Sequence, residues 1–471
     1  MFDLNNYQKN IAFYDDRDHY ILYEDISIIA EEILDKIGSR NLVYLLCDNT
    51  LGALVYYAAF LCTDNVVQLV SKDSREEWNK NYCQKFQPAY LCVPVNYYDN
   101  FIEVHRCMDY CILKNQNSIH YDMNANLALL ITSSGSTGEC KFVRHSKRNL
   151  IVNTKSIIKY LEITDKDRPI LSLPMSYTYG LSVINTHLFV GATILISQNK
   201  IIQQEYWDFF NSNKGTSISG VPYSYELLYH FGFLHIECPY LNCMTQAGGK
   251  LSNDLIEKYN LYAKENGIRF YVMYGQTEAT ARMSYLPYQY AWKNEKVGSV
   301  GIAVPGTKIY LEDDKRRIIT KSNCEGEVIF EGENVAMGYA NSYKDLNRDY
   351  DNQGILKTGD IAYYDDDGFL YISGRKKRFV KICGKRLGLD SIETYISEQY
   401  GYEMECAVVG DDTKIYVVIN NKDVCDALKG QLMQYYHIHK DDLRVFYMQD
   451  IPKTISGKKD YNKIMKKIDV K

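Results

Sequence analysis

The sequence has no hydrophobic run long enough to cross a membrane and no excess of positive charge. No apolar stretch reaches the roughly 20 residues that a membrane-spanning helix needs. The 54 lysines and arginines are outnumbered by 59 aspartates and glutamates, which leaves a net charge of −5. Proteins that bind nucleic acid over a broad surface are basic, so this function class is disfavoured. Residues 1–8 carry neither the basic nor the apolar region of a secretory signal, and we expect a cytoplasmic protein.

Cysteine pairs with the spacing of a metal site are also missing. None of the 13 cysteines forms a Cys-x-x-Cys pair, and the closest pairs, Cys107/Cys111 and Cys238/Cys243, have no matching His or Cys pair nearby. We therefore expect reduced, mostly buried thiols. The chain is instead rich in tyrosine, with 43 residues, and its 471 residues predict about three structural units. The 46% hydrophobic and 24% charged residues are typical of a globular protein and exclude disorder as the main state.

Helical and strand patterns alternate over the first 300 residues or so. Apolar residues recur at helical spacing over 26–37, where Gly38 follows as a stop, and residues 51–62 and 255–264 also predict helices, the last with Gly267 as its C-cap. Buried strands are predicted at residues 41–47, 65–70, 127–133, 169–173, 192–196 and 269–273. This alternation predicts an α/β fold of largely parallel sheets covered by helices.

The pattern changes after about residue 298, where short strands dominate. They are predicted at residues 307–312, 326–331, 361–364 and 369–373, and the last two flank the turn Asp365-Asp-Asp-Gly368. Beyond the basic stretch Arg375-Lys-Lys-Arg378, a helix at 389–400 and strands at 406–409 and 415–419 predict a small α+β unit. We therefore expect a large N-terminal domain, residues 1–376, with a β-rich part from about 298, and a small mobile α+β domain, residues 377–471.

A run of small and hydroxyl residues follows the strand pattern at 127–133. It reads Thr132-Ser-Ser-Gly-Ser-Thr-Gly-Glu-Cys-Lys141 and lacks the Walker spacing Gly-x4-Gly-Lys-Ser/Thr. Such a loop offers many N–H and O–H donors that can fold over a polyphosphate, and Lys141 adds a positive charge. A flexible surface linker has the same composition, so this segment alone fits both interpretations.

Further segments combine turns with charged residues. Tyr274-Gly-Gln-Thr-Glu278 can offer a hydroxyl to a phosphate and a carboxylate to Mg²⁺, and Tyr274 can stack on a base. In Lys357-Thr-Gly-Asp360 the aspartate can accept both hydroxyls of a ribose. Gly374-Arg375, Lys381-Ile-Cys-Gly-Lys-Arg386 and Pro452-Lys-Thr-Ile-Ser-Gly-Lys458 supply cations. Taken singly, each segment also fits an ordinary turn or a solvated run of charges.

In this order and at these intervals, the segments resemble the adenylate-forming superfamily of acyl-CoA synthetases, peptide-synthetase adenylation domains and firefly luciferase. The resemblance extends from about residue 10 to the end and comprises eight ordered matches, at residues 132–141, 173–180, 246–250, 274–278, 326–339, 357–360, 374–393 and 452–458. The chain departs from the family pattern at Cys140, Phe142, Lys357 and Tyr461, and Tyr177 stands where many acyl-CoA synthetases have His. It also lacks the Asp with which relatives that activate α-amino acids hold the ammonium group.

The resemblance implies two half-reactions on a small carboxylic acid. The carboxylate attacks the α-phosphate of ATP, with Mg²⁺ present, to give acyl-AMP and pyrophosphate. A phosphopantetheine thiol, on CoA or on a carrier protein, then attacks the acyl carbon and releases AMP. Two alternatives stay open: an amino-acid or hydroxy-acid ligase that loads a discrete carrier protein, and a nucleotide-binding scaffold that has lost catalysis.

The resemblance also implies roles for individual residues. Nucleotide contacts would come from Thr132, Ser133, Ser134, Gly135, Ser136, Thr137, Gly138, Lys141, Gly248, Gly249, Lys250, Tyr274, Gly275, Gln276, Asp360 and Arg375. Among them the loop through Lys141 would cover the β- and γ-phosphates, Tyr274 would pack on the adenine, and Asp360 with Arg375 would hold the ribose. The acyl group would lie among Tyr177, Tyr179, Gly180, Val221, Pro222 and Ala247.

The catalytic residues implied by the resemblance are divided between the two domains. Thr277 would contact the α-phosphate, Glu278 would hold Mg²⁺, and Lys458 would bridge the substrate carboxylate and the phosphate. The small domain would rotate about Lys377, so that one orientation brings Lys458 to the acyl-phosphate and the other brings the Lys381 face to the thiol tunnel.

Overall fold

The computed structural model describes residues 2, 4–72, 82–98, 101–132, 141–382, 385–401, 404–411, 413–454 and 458–469, with only the backbone of 377, 379, 381, 385, 386 and 469. Its α-helices are Tyr23–Ile37, Leu51–Cys62, Cys83–Phe86, Lys147–Leu161, Thr178–Val190, Gln204–Ser212, Pro222–Phe231, Asn253–Glu265, Tyr288–Ala291, Leu389–Tyr400, Cys425–Tyr436 and Tyr461–Asp469. Short 3₁₀ turns lie at Leu4–Tyr7, Phe233–His235, Thr277–Ala279, Tyr343–Asp345 and Lys376–Arg378.

The largest sheet has a parallel centre and antiparallel edges. Among the described residues its eight strands run in the order Gly338–Ala340, Phe142–Ser146, Leu127–Thr132, Val66–Ser71, Leu42–Cys47, Tyr90–Pro94, Tyr110–Lys114 and Ile102–Cys107. The four central strands, from Leu127–Thr132 to Tyr90–Pro94, are parallel to one another, whereas the outer strands pair antiparallel. Residues alternate between two apolar cores on the two faces of the sheet, as expected for a sheet buried on both sides.

A second, five-stranded sheet brings three loops of the candidate site to one edge. Its order is Ser217–Gly220, Cys243–Gln246, Arg269–Tyr274, Ser284–Tyr285 and Ile302–Ala303, and the first three strands are parallel. Gly220 pairs with Gln246, which pairs with Val272, so the three parallel strands end close together. The segments that follow them, beginning at residues 221, 247 and 275, therefore meet at the carboxyl edge, where α/β sheets bind ligands.

Three smaller sheets accompany the two large ones among the described residues. Two of them lie before residue 376, and the third follows the Lys376–Arg378 turn. Strands Ile194–Ile196, Ile11–Asp15 and Tyr20–Leu22 form one sheet. Strands Lys308–Glu312, Gly326–Glu331, Ile355–Tyr364 and Leu370–Arg375 form an antiparallel sheet, whose last two strands are joined by the predicted turn ending at Gly368. Strands Phe379–Ile382 and Lys385–Gly388 form a hairpin directly after the Lys376–Arg378 turn.

The C-terminal part has its own apolar core. Strands Cys406–Gly410, Ile415–Ile419 and Leu443–Tyr447 form a sheet that packs against helix Leu389–Tyr400. The apolar clusters on this side contain residues from 380 onward, and the other clusters contain residues up to 372. The chain thus has two sets of cores, with the Lys376–Arg378 turn between them.

Most predicted elements are confirmed within a residue or two, and two predictions are wrong. Residues 169–173 form no strand, because Pro169 and Ile170 make only isolated bridges to neighbouring chain segments. Helix Asn253–Glu265 is capped by Asn266, and Gly267 follows with φ of 66°. Within the described residues no helix is long and apolar enough to cross a membrane. The eleven cysteines of the described part are all free thiols, five of them buried and six half-buried.

Candidate active site

A buried carboxylate, Asp360, is the centre of the candidate ribose site. Asp360 is 3% exposed, and its Oδ2 accepts hydrogen bonds from the Tyr274 hydroxyl and from Gln276 Nε2, both at 2.5 Å. Its Oδ1 lies 3.1 Å from Arg375 Nε, because Asp360 and Arg375 are direct partners in neighbouring strands. A carboxylate has about four acceptor positions, so acceptor capacity remains for a sugar hydroxyl. Four of the predicted nucleotide residues are thus together.

Tyr274 holds Asp360 from the neighbouring sheet and keeps its proton. Burial, together with the Asp360 carboxylate, raises the pKa of Tyr274 well above its ordinary value. Its hydroxyl therefore donates to the carboxylate over the whole physiological pH range. Gln276 Nε2 also lies 3.2 Å from the Thr358 carbonyl, and the Thr358 hydroxyl accepts from the Asp360 backbone N–H at 3.0 Å. These bonds join the two predicted motifs into one rigid unit.

Gly275 is required by a close approach of the backbone. After Tyr274 the chain turns through Thr277–Ala279 and doubles back, so that the Met283 N–H donates to the Tyr274 carbonyl at 2.9 Å. A Cβ atom on Gly275 would lie 1.8 Å from the Ala281 carbonyl oxygen. Only glycine fits there, which explains the glycine of this motif in physical terms.

Glu278 presents a half-buried carboxylate beside the same turn. Its Oε1 accepts a hydrogen bond from the Tyr339 hydroxyl at 2.7 Å, and its backbone carbonyl accepts from the Ala336 N–H at 2.8 Å. Thr277, also half-buried, begins the turn. Among the described residues no cluster of three or more His, Cys, Asp or Glu side chains could hold a metal. Mg²⁺ commonly binds through one or two carboxylates together with phosphate oxygens and water, and the half-buried Glu278 carboxylate fits that mode.

The candidate acyl slot lies where the Gly248 turn meets Tyr177. Gly248 has φ of 89°, and a Cβ atom there would lie 2.6 Å from the Tyr177 hydroxyl and 3.2 Å from Val221 Cγ1. A Cβ atom on Gly249 would lie 3.1 Å from Pro222 Cγ. The structure therefore brings these predicted residues together as one narrow wall. Ala247, 2% exposed, precedes the turn, and Lys250 is exposed at its end.

Tyr179 and Gly180 form the inner part of the slot. Tyr179 is 2% exposed, and its hydroxyl contacts the carbonyl and Oγ1 of Thr245, each at 2.8 Å. Gly180 lies in the first turn of the helix Thr178–Val190 and packs closely against the preceding segment. A Cβ atom on Gly180 would lie 2.4 Å from the Pro174 carbonyl oxygen. The Tyr177 and Tyr179 rings pack edge to face, 6.3 Å apart.

Lys458 reaches the slot from the C-terminal part of the chain. Its Nζ lies 5.7 Å from the centre of the Tyr177 ring. The Lys458 backbone bonds Thr454, whose N–H donates to the Lys458 carbonyl at 2.6 Å. Lys453, next to Thr454, is itself anchored, because its Nζ contacts Glu405 Oε1 at 2.6 Å and lies 3.7 Å from the centre of the Tyr223 ring. The ammonium group is therefore held beside the predicted acyl pocket.

The predicted hinge is tied to the start of helix Leu389–Tyr400. Asp390 accepts a hydrogen bond from the Arg375 N–H at 3.0 Å and also pairs with Arg378. Lys377 lies in the turn between these two residues. Lys381 lies in the following strand, between Val380 and Ile382, which are buried in the C-terminal core. That Lys381 and Lys458 lie on two different faces stays a prediction.

The predicted phosphate loop connects two paired strands. Thr132 and Phe142 are partners in the antiparallel pair of Leu127–Thr132 with Phe142–Ser146, and half-buried Lys141 directly precedes the second strand. Ser133, Ser134, Gly135, Ser136, Thr137 and Gly138 lie outside the described residues. The ends of the loop are therefore fixed on the largest sheet.

Three functional candidates were missed by sequence reasoning. Tyr339 bonds Glu278, Glu393 joins the hinge to the Lys459 side chain, and Arg282 lies 3.9 Å over the Tyr179 ring. Arg282 lies inside the buried run 279–284, a feature that only the structure reveals. The other two depend on contacts between residues 61 and 66 positions apart, which no local pattern shows.

Comparison with known proteins shows the family. Residues 30–340 match the family model described as AMP-binding enzyme. The match covers more than half of the chain. The chain belongs to the AMP-binding enzyme family. This membership confirms the superfamily resemblance inferred from the motifs.

Curated relatives of this AMP-binding enzyme are CoA ligases. Oxalate–CoA ligase of Arabidopsis thaliana is 26% identical over 350 residues, a match that spans 70% of the chain and 65% of the relative, just under two thirds of its length. The 2-succinylbenzoate–CoA ligase of Bacillus subtilis (strain 168) is 26% identical over 369 residues, covering 76% of the chain and 72% of the relative.

Solved structures share the fold of this AMP-binding enzyme over nearly its whole length. The o-succinylbenzoate CoA synthetase from Bacillus subtilis, in complex with its acyl-adenylate intermediate, has a TM-score of 0.75 at 21% identity and covers 97% of the chain and 95% of its own. ATP-bound MatB from Rhodopseudomonas palustris has a TM-score of 0.77 at 18% identity and covers 98% and 96%. The predicted α/β fold class is confirmed.

Proposed function

We propose that the chain is an AMP-forming acid–thiol ligase of the acyl-CoA synthetase type. A carboxylate oxygen of the acid attacks the α-phosphorus of ATP, and the bond from phosphorus to pyrophosphate breaks. The sulfur of a phosphopantetheine thiol then attacks the acyl carbon, the bond to AMP breaks, and the thiol proton passes to solvent. The relatives are named as CoA ligases, which favours CoA over a carrier protein as the acceptor.

The observation that carries this proposal is the position of Lys458 over Tyr177. The lysine comes from the C-terminal part of the chain, whereas Tyr177 lies beside the Gly248 turn of the large part. An ammonium group held there can neutralise the charge that develops between a carboxylate and the α-phosphate. One preorganised donor of this kind is worth about 10²–10³ in rate. A nucleotide-binding scaffold has no need of such a lysine.

The other site residues are arranged to bind and orient the nucleotide. Asp360 is fixed by Tyr274 and Gln276, so it can accept a ribose hydroxyl without reorganising. Thr277 follows directly on the same turn and would face the α-phosphate. Glu278 would hold Mg²⁺ together with phosphate oxygens, and the ion would supply electrostatic stabilisation of the phosphate charge. Tyr339 orients the Glu278 carboxylate.

The second half-reaction is assigned to a second orientation of residues 377–471, which we take as the small domain. The arrangement with Lys458 at Tyr177 suits adenylate formation. Rotation about Lys377 would remove this lysine and bring the strand that contains Lys381 toward the acyl-AMP. Hinges commonly lie at the ends of elements and absorb backbone rotation, as the Lys376–Arg378 turn is placed to do.

Pyrophosphate exchange tests the proposed function. The chain, ATP, Mg²⁺ and a panel of small carboxylates are incubated with labelled pyrophosphate, and label incorporated into ATP reports adenylate formation. We expect AMP and pyrophosphate as products, exchange that needs Lys458, and no loss in the control Lys466→Ala, which alters an exposed lysine of the last helix. ADP as the nucleotide product would refute the assignment, and silence with every acid would favour a scaffold. Adding CoA then tests the acceptor.

A further inference from the structure

Arg282 is a buried cation that has no counter-ion among the residues the structure describes. The residue is only 3% exposed. Its guanidinium makes one weak hydrogen bond, a 3.5 Å contact from Nη1 to the carbonyl of Ala281, and its Nε has no partner. No ion pair to Arg282 exists within the part of the chain that the structure describes. A buried charge in this condition is unfavourable unless a ligand completes its bonding.

The residue is held in this position by its backbone. The Arg282 carbonyl accepts hydrogen bonds from Asn153 Nδ2 at 3.1 Å and Asn334 Nδ2 at 3.2 Å. Both asparagines are buried, with 2% and 0% exposure. The loop is therefore fixed by polar groups that have no access to water, and the guanidinium cannot reach solvent by a small local movement.

Arg282 lines a small cavity at the inner end of the candidate acyl slot. The cavity has a volume of about 30 Å³. A volume near 10–15 Å³ on this measure holds one water molecule, so the cavity has room for about two waters or one small polar group. Arg282 lies on the Tyr179 ring, Tyr179 packs against Tyr177, and Lys458 covers Tyr177. The guanidinium and the lysine thus each contact one ring of this tyrosine pair.

The remaining walls of the cavity are mostly neutral and rich in hydroxyl groups. They include Ser182, Thr186, Ser219 and Thr245. His187 also faces the cavity, and burial lowers its pKa, so the imidazole is neutral near pH 7. The carboxylate of Asp167 borders the cavity, but it is bound by the Thr164 N–H at 2.8 Å and the Thr216 hydroxyl at 3.2 Å. Arg269 also borders the cavity, but it pairs with Glu162 at 2.9 Å. Among the described residues that line the cavity, Arg282 is therefore the cation without an acidic partner that a small anion would meet.

We propose that Arg282 binds a second carboxylate of the acid substrate, so that the substrate class is a short dicarboxylic acid. The inference rests on the proposed function and specifies its acyl pocket. One carboxylate is activated at the Lys458 end, while the other forms a charge-assisted, bidentate pair with the guanidinium. An acid with an alkyl end leaves the buried guanidinium unpaired, and sites built to bond a polar group reject such analogues strongly.

Three acids of equal length separate charge from shape. Succinate carries two carboxylates, succinamate replaces one of them by a neutral amide, and butyrate replaces it by a methyl group. We measure kcat/KM for pyrophosphate exchange with each acid, and with the corresponding sets one carbon shorter and longer. The expected result is a preference of at least about 100-fold for a diacid over the matched alkyl acid, with the amide in between.

Arg282→Met keeps the apolar stem and removes the charge. We expect it to abolish the preference for the diacid and to raise exchange with butyrate, while Arg282→Lys restores part of the preference. Arg168→Met is the matched control, since Arg168 also has a buried Nε without a partner but does not line this cavity. AMP affinity, measured by calorimetry, should be unchanged in all three variants. Binding of each acid in the presence of AMP is measured in parallel.

The outcomes distinguish the inference from the function on which it rests. Equal exchange with succinate and butyrate, unchanged in Arg282→Met, overturns the inference and leaves the ligase function standing. Equal exchange with succinate and succinamate overturns the role of the second charge. If no acid supports exchange, the ligase function fails, and the binding measurements then test the Arg282 site. Loss of diacid binding in Arg282→Met supports the site. Unchanged diacid binding in Arg282→Met overturns the site.

Discussion

Asp360→Asn should weaken ATP binding far more than acid binding. The carboxylate is 3% exposed and receives two hydrogen bonds at 2.5 Å on Oδ2, from Tyr274 and Gln276. Its Oδ1 is 3.1 Å from Arg375 Nε. Asparagine keeps the shape of the side chain, but it has one acceptor oxygen instead of two, and its amide group would face groups that are themselves donors.

The size of the effect follows from the kind of bond that is lost. Hydrogen bonds to a charged group contribute about 1.5–3 kcal/mol, roughly twice the value for a neutral pair. Loss of one such bond to a ribose hydroxyl corresponds to a KM for ATP raised about 10- to 100-fold, since about 1.4 kcal/mol is tenfold. The Arg375 side chain is 58% exposed, so its charge regains water and the broken pair itself changes stability little.

Pyrophosphate exchange at varied ATP and acid concentrations measures both constants, and calorimetry with AMP measures nucleotide affinity without turnover. Asp314→Asn is the matched control, because Asp314 lies in an exposed turn of the same sheet. Asp360→Ala, which removes every acceptor, should have the larger effect on the KM for ATP. Equal changes in the two Michaelis constants, or an unchanged AMP affinity, would show that Asp360 does not bind the ribose.

Three further predictions concern the hinge and the backbone. Lys458→Ala should lower pyrophosphate exchange by at least about 100-fold, yet this variant should still turn over supplied acyl-AMP. Lys377→Pro should slow thioester formation and leave pyrophosphate exchange intact. Both half-reactions are assayed for each variant, and an equal loss in both would contradict the two orientations. Gly275→Ala should destabilise the chain by about 3 kcal/mol in denaturant unfolding, because its Cβ would lie 1.8 Å from a carbonyl oxygen of the same loop. Gly430→Ala is the matched control. It lies in an open helical position and should stabilise the chain by about 1 kcal/mol. The Glu393 carboxyl has a pKa held below the ordinary 4.5, since the charges of neighbouring cations outweigh the effect of burial. Glu393→Gln should therefore cost about 3–5 kcal/mol of stability at pH 7, with a difference that shrinks as the pH falls through the folded-state pKa below 4.5; a constant difference would refute the ion pairing.

Much of the candidate site could be predicted because its residues lie at the ends of strands. Parallel strands place their carboxyl ends at one edge, so the segments after Gly220, Gln246 and Tyr274 had to meet once the strands were recognised. The pairing of Asp360 with Arg375 follows in the same way from a hairpin whose turn is visible in the sequence. Local patterns were sufficient in each case, because the contacts are set by strand register.

Arg282 and Tyr339 could not be predicted as site residues from local patterns. Arg282 is eight residues after Tyr274, and its role depends on a cavity whose other walls come from five separate segments of the chain. Tyr339 belongs to an edge strand of the largest sheet, yet its hydroxyl reaches Glu278 of another sheet. The wrongly predicted strand at 169–173 has a similar cause, since apolar composition alone does not provide a partner for the backbone of this segment.

The Glu393 carboxylate connects the hinge turn to Lys459, the neighbour of Lys458, through direct contacts. Its Oε1 accepts from Arg378, at the end of the hinge turn, at 2.7 Å, and its Oε2 accepts from Lys459 at 2.6 Å. Tyr461, just beyond, bonds Oε2 at 3.2 Å, and its ring lies 3.7 Å below the Arg378 guanidinium. Because Lys459 adjoins Lys458, a rotation that starts in the hinge turn has to move the lysine with it. The tyrosine that departs from the family pattern at 461 thus has a physical role, since it closes this network where a basic residue would add a third cation to one carboxylate.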